Sequence, residues 1–149
     1  ADYIKSALKV VGKVNFWKIA IKPGRPLAYG KINNASFFGL PGNPVSAAVT
    51  FQIFIIPAIR RMLQMTTSSK LTLNAIVKSN LSKKKGRVEY KRGLLEQKDG
   101  VYIVNTTGLQ GSNILSSLSK ANCYIRLSSE TNNINKGDIV EVIPFNINL

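Results

Sequence analysis

Apolar residues recur at Ile4, Ala7, Leu8 and Val11, and the run ends at Gly12. This three-and-four spacing predicts a short amphipathic helix over residues 3–11. The period then falls to two. Trp17, Ile19 and Ile21 share one face, and Phe16, Lys18, Ala20 and Lys22 share the other. A strand over residues 14–22 is expected, with one buried and one basic face. Pro23-Gly24 reads as a turn. Leu27 to Gly30 and Ser36 to Leu40 flank Asn33-Asn34, which predicts a hairpin. Residues 44–63 read as a helix capped by Asn43, with Pro44 in its first position. It is apolar on most sides and so expects burial in a larger assembly. Pro57 should kink it or divide it in two.

Thr66-Thr67-Ser68-Ser69 is the one linker-like run, and the domain boundary is placed there, giving parts 1–68 and 69–149. Beyond it the pattern predicts strands at 71–78, 86–96, 101–106, 122–128 and 138–144. Asp99-Gly100 and Lys136-Gly137-Asp138 supply turns. Short strands at this spacing suggest a small β-barrel or sandwich. The longest apolar stretch, Val45 to Ile59, has 15 residues, short of a membrane span. The N-terminus lacks the apolar core of a signal peptide. A soluble cytoplasmic protein with no membrane partner is the resulting expectation.

Charge adds a statement about partners. The chain has 21 Lys+Arg against 7 Asp+Glu, a net charge of +14. Such an excess attracts anions, and nucleic acid non-specifically. Cys123 is the single cysteine, so no intrachain disulfide forms and a reducing compartment is the easier reading. The chain has no histidine. Ser-His triads, histidine proton shuttles and histidine-containing zinc sites are excluded within it. Lys, Arg, Asp, Glu, Ser, Thr and backbone amides remain for chemistry.

Five groups of residues are candidates, each with a plainer alternative. In Gly39-Leu40-Pro41-Gly42-Asn43-Pro44-Val45-Ser46 a strand runs into a turn that opens a helix. Unpaired amides and the helix dipole there suit a phosphate or oxyanion; the alternative is a capped helix without a ligand. Lys18 and Lys22 on one strand face would lie roughly 13 Å apart at ~3.3 Å per residue. With Arg25 they could grip a polyanion, or simply form a solvated edge. Asp2 is a weak candidate ligand for a hard cation, or a solvated terminal acid. Arg92 and the loop Gly108-Leu109-Gln110-Gly111-Ser112 could meet an anion, or be a strand edge and a connecting loop. Lys83-Lys84-Lys85-Gly86-Arg87 is either a nucleic-acid patch or a solvated loop, and lacks interleaved aromatics.

These pieces in this order resemble the molybdopterin molybdotransferases, the MoeA family, whose animal relative is the E domain of gephyrin. The resemblance lies in Ala1-Asp2-Tyr3, Phe16 to Pro26 with its Lys-Pro-Gly, Gly39 to Ser46, Gly86-Arg87 through Arg92-Gly93, Thr106-Thr107-Gly108, Gln110-Gly111-Ser112, and Gly137 near Val142 to Phe145. It covers nearly the whole chain. It implies the C-terminal half of a molybdopterin-binding α/β domain followed by a small β-barrel domain. It also implies insertion of molybdate into adenylylated molybdopterin with release of AMP, aided by magnesium. By position, the family's functional lysines fall on Lys18 and Lys22, and its turn prolines on Pro41 and Pro44. Its acidic, metal-side residue falls on Asp2, and its C-terminal Arg and Ser on Arg92 and Ser112. Gly42, Asn43, Ser46 and Arg25 join the implied cofactor-binding set. Arg25 stands where the family usually has Lys, and Leu109 where bacterial relatives often have His. The resemblance further implies a pterin substrate, a homodimer in the full-length protein and a molybdopterin adenylyltransferase as partner. A piece of this extent is expected to be inactive alone. An interaction module of the same family and a basic nucleic-acid-binding protein are the other readings; no specific nucleic-acid partner is expected.

Overall fold

The computed structural model describes residues 6, 10, 12–16, 18–65, 71–111 and 113–145. Of the helix expected over 3–11, only Ser6 and Val10 are described, and both are helical. Ile4, Ala7, Leu8, Val11, Trp17 and the linker at 66–69 lie outside the described residues.

The alternation at 14–22 is divided between two sheets, which corrects the expected single strand. β1 (Lys13–Phe16) pairs antiparallel with β3 (Ala28–Ile32), with a bulge between Val14 and Phe16. β2 (Ile21–Lys22) leaves that sheet and pairs in parallel with β6 (Val88–Lys98). Between them the chain turns. Ile19 N–H donates to the Arg25 carbonyl at 3.0 Å, and Ile21 N–H donates to the Ile19 carbonyl at 3.0 Å. Lys18 and Lys22 therefore do not share one strand face. The hairpin does form: β4 (Ala35–Gly39) pairs with β3 across Asn33-Asn34, and Asn33 takes the left-handed φ of 53°.

The helix runs from Pro44 to Met62 without dividing. It comprises α1 (Pro44–Thr50), a π segment (Phe51–Ile55) and α2 (Ile56–Met62). Pro57 has no N–H and would crowd the carbonyl four residues back in an α-helix. The wider turn before it relieves this, and Ile56 N–H bonds to the Phe51 carbonyl. At 19 residues, close to the expected 44–63, the helix is long and apolar enough to cross a membrane by length and composition, although the apolar stretch read from the sequence was short of a span. Val45, Val49 and Ile53, one turn apart, are buried here, whereas Phe51, Ile59 and Met62 are exposed.

The remaining strands close a barrel. β5 (Leu73–Val77), β7 (Val101–Thr106), β8 (Cys123–Leu127) and β9 (Ile139–Pro144) join β6 in the order β6-β7-β5-β9-β8, and β8 pairs back with β6. Closure removes free sheet edges. β5 and β7 are the one parallel pair inside the barrel. The Asp99-Gly100 turn has φ values of 49° and 78° and links β6 to β7. Its core gathers Val77, Val104, Cys123, Ile125, Val140 and Val142. Burial pushes the Cys123 thiol up to about 12, so it packs as an apolar group. The basic run before β6 is not uniformly solvated. Lys83 is only 3% exposed, and its Nζ donates to the Lys84 and Thr131 carbonyls at 3.0 Å each.

A second core joins the helix to the outside of the barrel. It contains Ile21, Val45, Val49, Ile53, Tyr90 and Tyr124. β6 runs past the end of β7, and β2 takes the edge that β7 leaves, with Val88 N–H donating to the Ala20 carbonyl at 3.0 Å.

Two stability outcomes follow. A Cβ on Gly93 would meet Cys123 Sγ at 2.9 Å, Ile125 Cγ1 at 3.0 Å and Val104 Cγ2 at 3.1 Å. Gly93→Ala overpacks the barrel and should cost about 1–3 kcal/mol in urea unfolding. Asn43→Ala removes the cap that accepts from Val45 N–H at 3.1 Å and Ser46 N–H at 3.3 Å. It should cost about 1 kcal/mol in the same measurement.

Candidate functional site

The junction of β2, helix and barrel opens into a cavity of about 530 Å³. Lys22, Arg25, Ser46, Arg87, Glu89, Lys91, Arg92, Gln110 and Gly111 contribute to its wall. The turn that presents Lys22 and Arg25 is seated directly on the helix. A Cβ on Gly24, whose φ is 108°, would collide with Thr50 Cγ2. Only glycine permits that approach and that backbone conformation. Thr50 lies one helical turn beyond Ser46 and donates to the Ser46 carbonyl at 2.8 Å.

Five cations and one acid line this cleft, so its field favours anions. Glu89 is the acid. Its Oε1 lies 3.5 Å from Lys22 Nζ and its Oε2 lies 3.5 Å from Lys91 Nζ. Arg92 is 1% exposed and forms no ion pair among the described residues. Its Nε donates to Ser117 Oγ at 3.0 Å and its Nη2 to the Gly111 carbonyl at 3.1 Å. Burial lowers its proton affinity, and the nearby Tyr124 opposes that shift. Gln110 pairs with its backbone as a neighbouring strand would. Arg92 N–H donates to Gln110 Oε1 at 2.8 Å, and Gln110 Nε2 donates to the Arg92 carbonyl at 3.2 Å. Arg92 is thus a buried strut that shapes the Gly108–Gly111 loop, with a positive charge behind the cleft wall.

A second basic groove adjoins the first and shares Arg25 and Arg87 with it. Lys18 and Lys85 supply its other cations. Among the described residues no aromatic side chain lines it. A smaller cavity, about 200 Å³, lies between the π segment and the barrel, walled by Phe51, Ile53, Ile143 and Phe145. It is mostly apolar and lacks the convergent charges of the cleft.

The structure therefore brings together Lys22, Arg25, Ser46 and Arg92, and sets Lys18 in the adjoining groove. Pro41, Gly42, Asn43 and Pro44 do not line the cleft. The expectation of free amides at the helix start is corrected: Asn43 Oδ1 accepts from both Val45 and Ser46 N–H, and Pro44 has none. Asp2 and Ser112 lie outside the described residues. Among the described residues no group of three or more His, Cys, Asp or Glu could hold a metal. Glu89, Lys91 and Ser117 were not among the candidates read from the sequence, whereas Arg87 and Gln110 were, in the basic run before β6 and in the Gly108–Ser112 loop. The close run of charges at Arg87, Glu89, Lys91 and Arg92, the last three on β6, is the signal that could have found Glu89 and Lys91.

Comparison with known proteins gives this geometry a family. Residues 1–61 match the probable molybdopterin binding domain, and residues 74–145 match the MoeA C-terminal region, domain IV. The molybdopterin molybdenumtransferase of Haemophilus influenzae is 45% identical over 98% of this chain, which covers 37% of that protein. Gephyrin of Dictyostelium discoideum is 30% identical over 95% of this chain, covering 23% of its own length. The molybdopterin biosynthesis MoeA protein of Pyrococcus horikoshii superposes with a TM-score of 0.75 at 27% identity, covering 89% of this chain and 33% of that one. The chain thus spans about a quarter to two fifths of the length of these relatives. Mixed α/β structure ending in a closed five-stranded barrel is the architecture it shares with them. The chain belongs to the MoeA family, of which it carries a stretch of the molybdopterin-binding domain joined to domain IV.

Proposed function

We propose that this chain contributes the basic half of the active site of a molybdopterin molybdotransferase. The reaction takes adenylylated molybdopterin and molybdate, cleaves the adenylate and yields AMP and molybdenum cofactor. The observation that carries the reading is the cleft at the helix–barrel junction, where five cations face one acid. A phosphorylated pterin, a pyrophosphate link and molybdate are all anionic, and cleavage adds charge at the leaving phosphate. Fixed cations in a partly enclosed site neutralise such charge without reorganising during the reaction. Lys22 and Arg25 are assigned to the phosphates, Arg25 by its planar fork of donors. Lys18, in the adjoining groove, is assigned to the far end of the same ligand. Arg92 orients the Gly108–Gly111 loop toward it. Ser46 offers a hydroxyl at the cleft wall; Pro41, Gly42, Asn43 and Pro44 act by placing it.

The described residues do not themselves form a magnesium site. The carboxylate in the cleft, Glu89, is already held by two ammonium groups. Asp2 as ligand and Ser112 as a contact to the anion remain assignments by family position. The domain division at residue 69 is part of the same reading, supported by the gap between the two family matches at 61 and 74. So are a cytoplasmic location, a homodimer and supply of substrate by a molybdopterin adenylyltransferase, all of which rest on family likeness.

The test is calorimetric binding of adenylylated molybdopterin to the full chain. Lys22→Ala and Arg25→Ala each remove a charge-assisted contact and should weaken binding by about tenfold or more. Arg92→Lys keeps the charge but cannot reach both Ser117 and the Gly111 carbonyl in the same geometry. It should weaken binding as well, although the charge of the cleft is unchanged. Equal affinity in all three variants would remove the cleft as the site.

A further inference from the structure

A lone carboxylate in an anion-binding cleft repels the ligand it faces, so Glu89 needs another reason to be there. We propose that Glu89 is a positioning residue that fixes the ammonium group of Lys22 at the cleft, with Lys91 as its standing counter-ion. The inference rests on the anion-binding reading above and concerns how that site is held ready.

The two carboxylate oxygens serve different lysines: Oε1 faces Lys22 and Oε2 faces Lys91. The Glu89 side chain is 6% exposed, that of Lys91 is 13% and that of Lys22 is 53%. Lys91 is thus the inner partner and compensates the buried charge. Lys22 is the outer partner, open to a ligand. Backbone register sets this arrangement, because Lys22 lies directly beside Glu89 in the β2–β6 pair. Lys91 follows two residues later on the same face of β6. An ammonium group has three donors, so one can point to Glu89 while the others meet an anion. The lysine stem is long and freely rotating, and a ligand must otherwise immobilise it. A carboxylate already holding Lys22 lowers that cost before the ligand arrives.

Charge alone and positioning predict opposite signs, which makes the test decisive. The probe is inorganic pyrophosphate, titrated calorimetrically into the full chain at fixed ionic strength. Glu89→Gln removes a negative charge, so a purely electrostatic role predicts tighter binding. Positioning predicts binding weaker by about twofold to tenfold. In a Lys22→Ala background the same substitution should then have no further weakening effect. Glu89→Gln leaves Lys91 buried without its partner and could unfold the chain. Glu89→Gln with Lys91→Met removes both charges, a change that buried pairs often tolerate. It also keeps the net charge of the cleft, and should show the same weakening. Unchanged or tighter binding in that double variant overturns the proposal. So does a loss of equal size with and without Lys22. Absence of pyrophosphate binding by the unsubstituted chain would instead overturn the anion-cleft reading, and this proposal with it.

Discussion

The two-residue parallel pairing of β2 with β6 is the constraint on which the rest depends. A closed barrel has no edge to offer, yet β6 extends beyond β7 and leaves a short stretch of backbone unpaired. Ile21 and Lys22 occupy that stretch. The hydrogen bonds are few, so the pairing stands only because side chains on one side of it are buried. Ile21, Val45, Val49 and Ile53 pack against Tyr90 and Tyr124. Full burial of each aliphatic chain contributes about 1.5–3 kcal/mol. The apolar contact fixes the separation, and the backbone register fixes which side chains meet. Lys22 reaches Glu89, and the turn after it rests on Thr50. Loss of the apolar contact would therefore disperse the cations even if each part stayed folded.

The same junction shows how the protein manages concentrated positive charge. Two devices are visible. Lys22 and Lys91 share one carboxylate. Arg92 donates hydrogen bonds to a hydroxyl and a carbonyl, which satisfy it without cancelling its charge. Buried cations satisfied by neutral acceptors keep their field. That favours a site built to hold an anion over one built for stability alone, since a buried charge without a counter-ion is costly.

Much of the architecture was legible in the chain. The barrel strands were, because short alternating runs bounded by turn residues leave few alternatives, and Asp99-Gly100 marked its hairpin. Asn43-Pro44 marked the helix start for the same local reason. The switch between sheets after β1 was not. It depends on a strand edge 67 residues away, the separation of Lys22 from Glu89, and no local period records it. Lys18 and Lys22 therefore looked like neighbours on one face. Arg92 looked like an edge residue because its hydrogen-bond partners, Gln110 on a loop and Ser117 in the helical turn Ser116–Ser119, come from elsewhere in the chain. The charges of the site could be listed from the sequence, but their partners could not.

The segment Gly39 to Ser46 shows how a motif that resembles a family's can act through packing. A strand, a Pro-Gly turn and a helix start suggested an amide cradle. In the structure the first free amides of the helix are closed by Asn43, and the turn stays outside the cleft. What the motif delivers is placement. It starts the helix so that Ser46 faces the cleft, Thr50 supports the Lys22–Arg25 turn, and Val45 and Val49 bind the barrel. One register of the helix satisfies all of these at once, whereas a shift by one residue would break each of them. Strict spacing between Asn43 and Thr50 follows from packing, and the chemistry of the cleft inherits it.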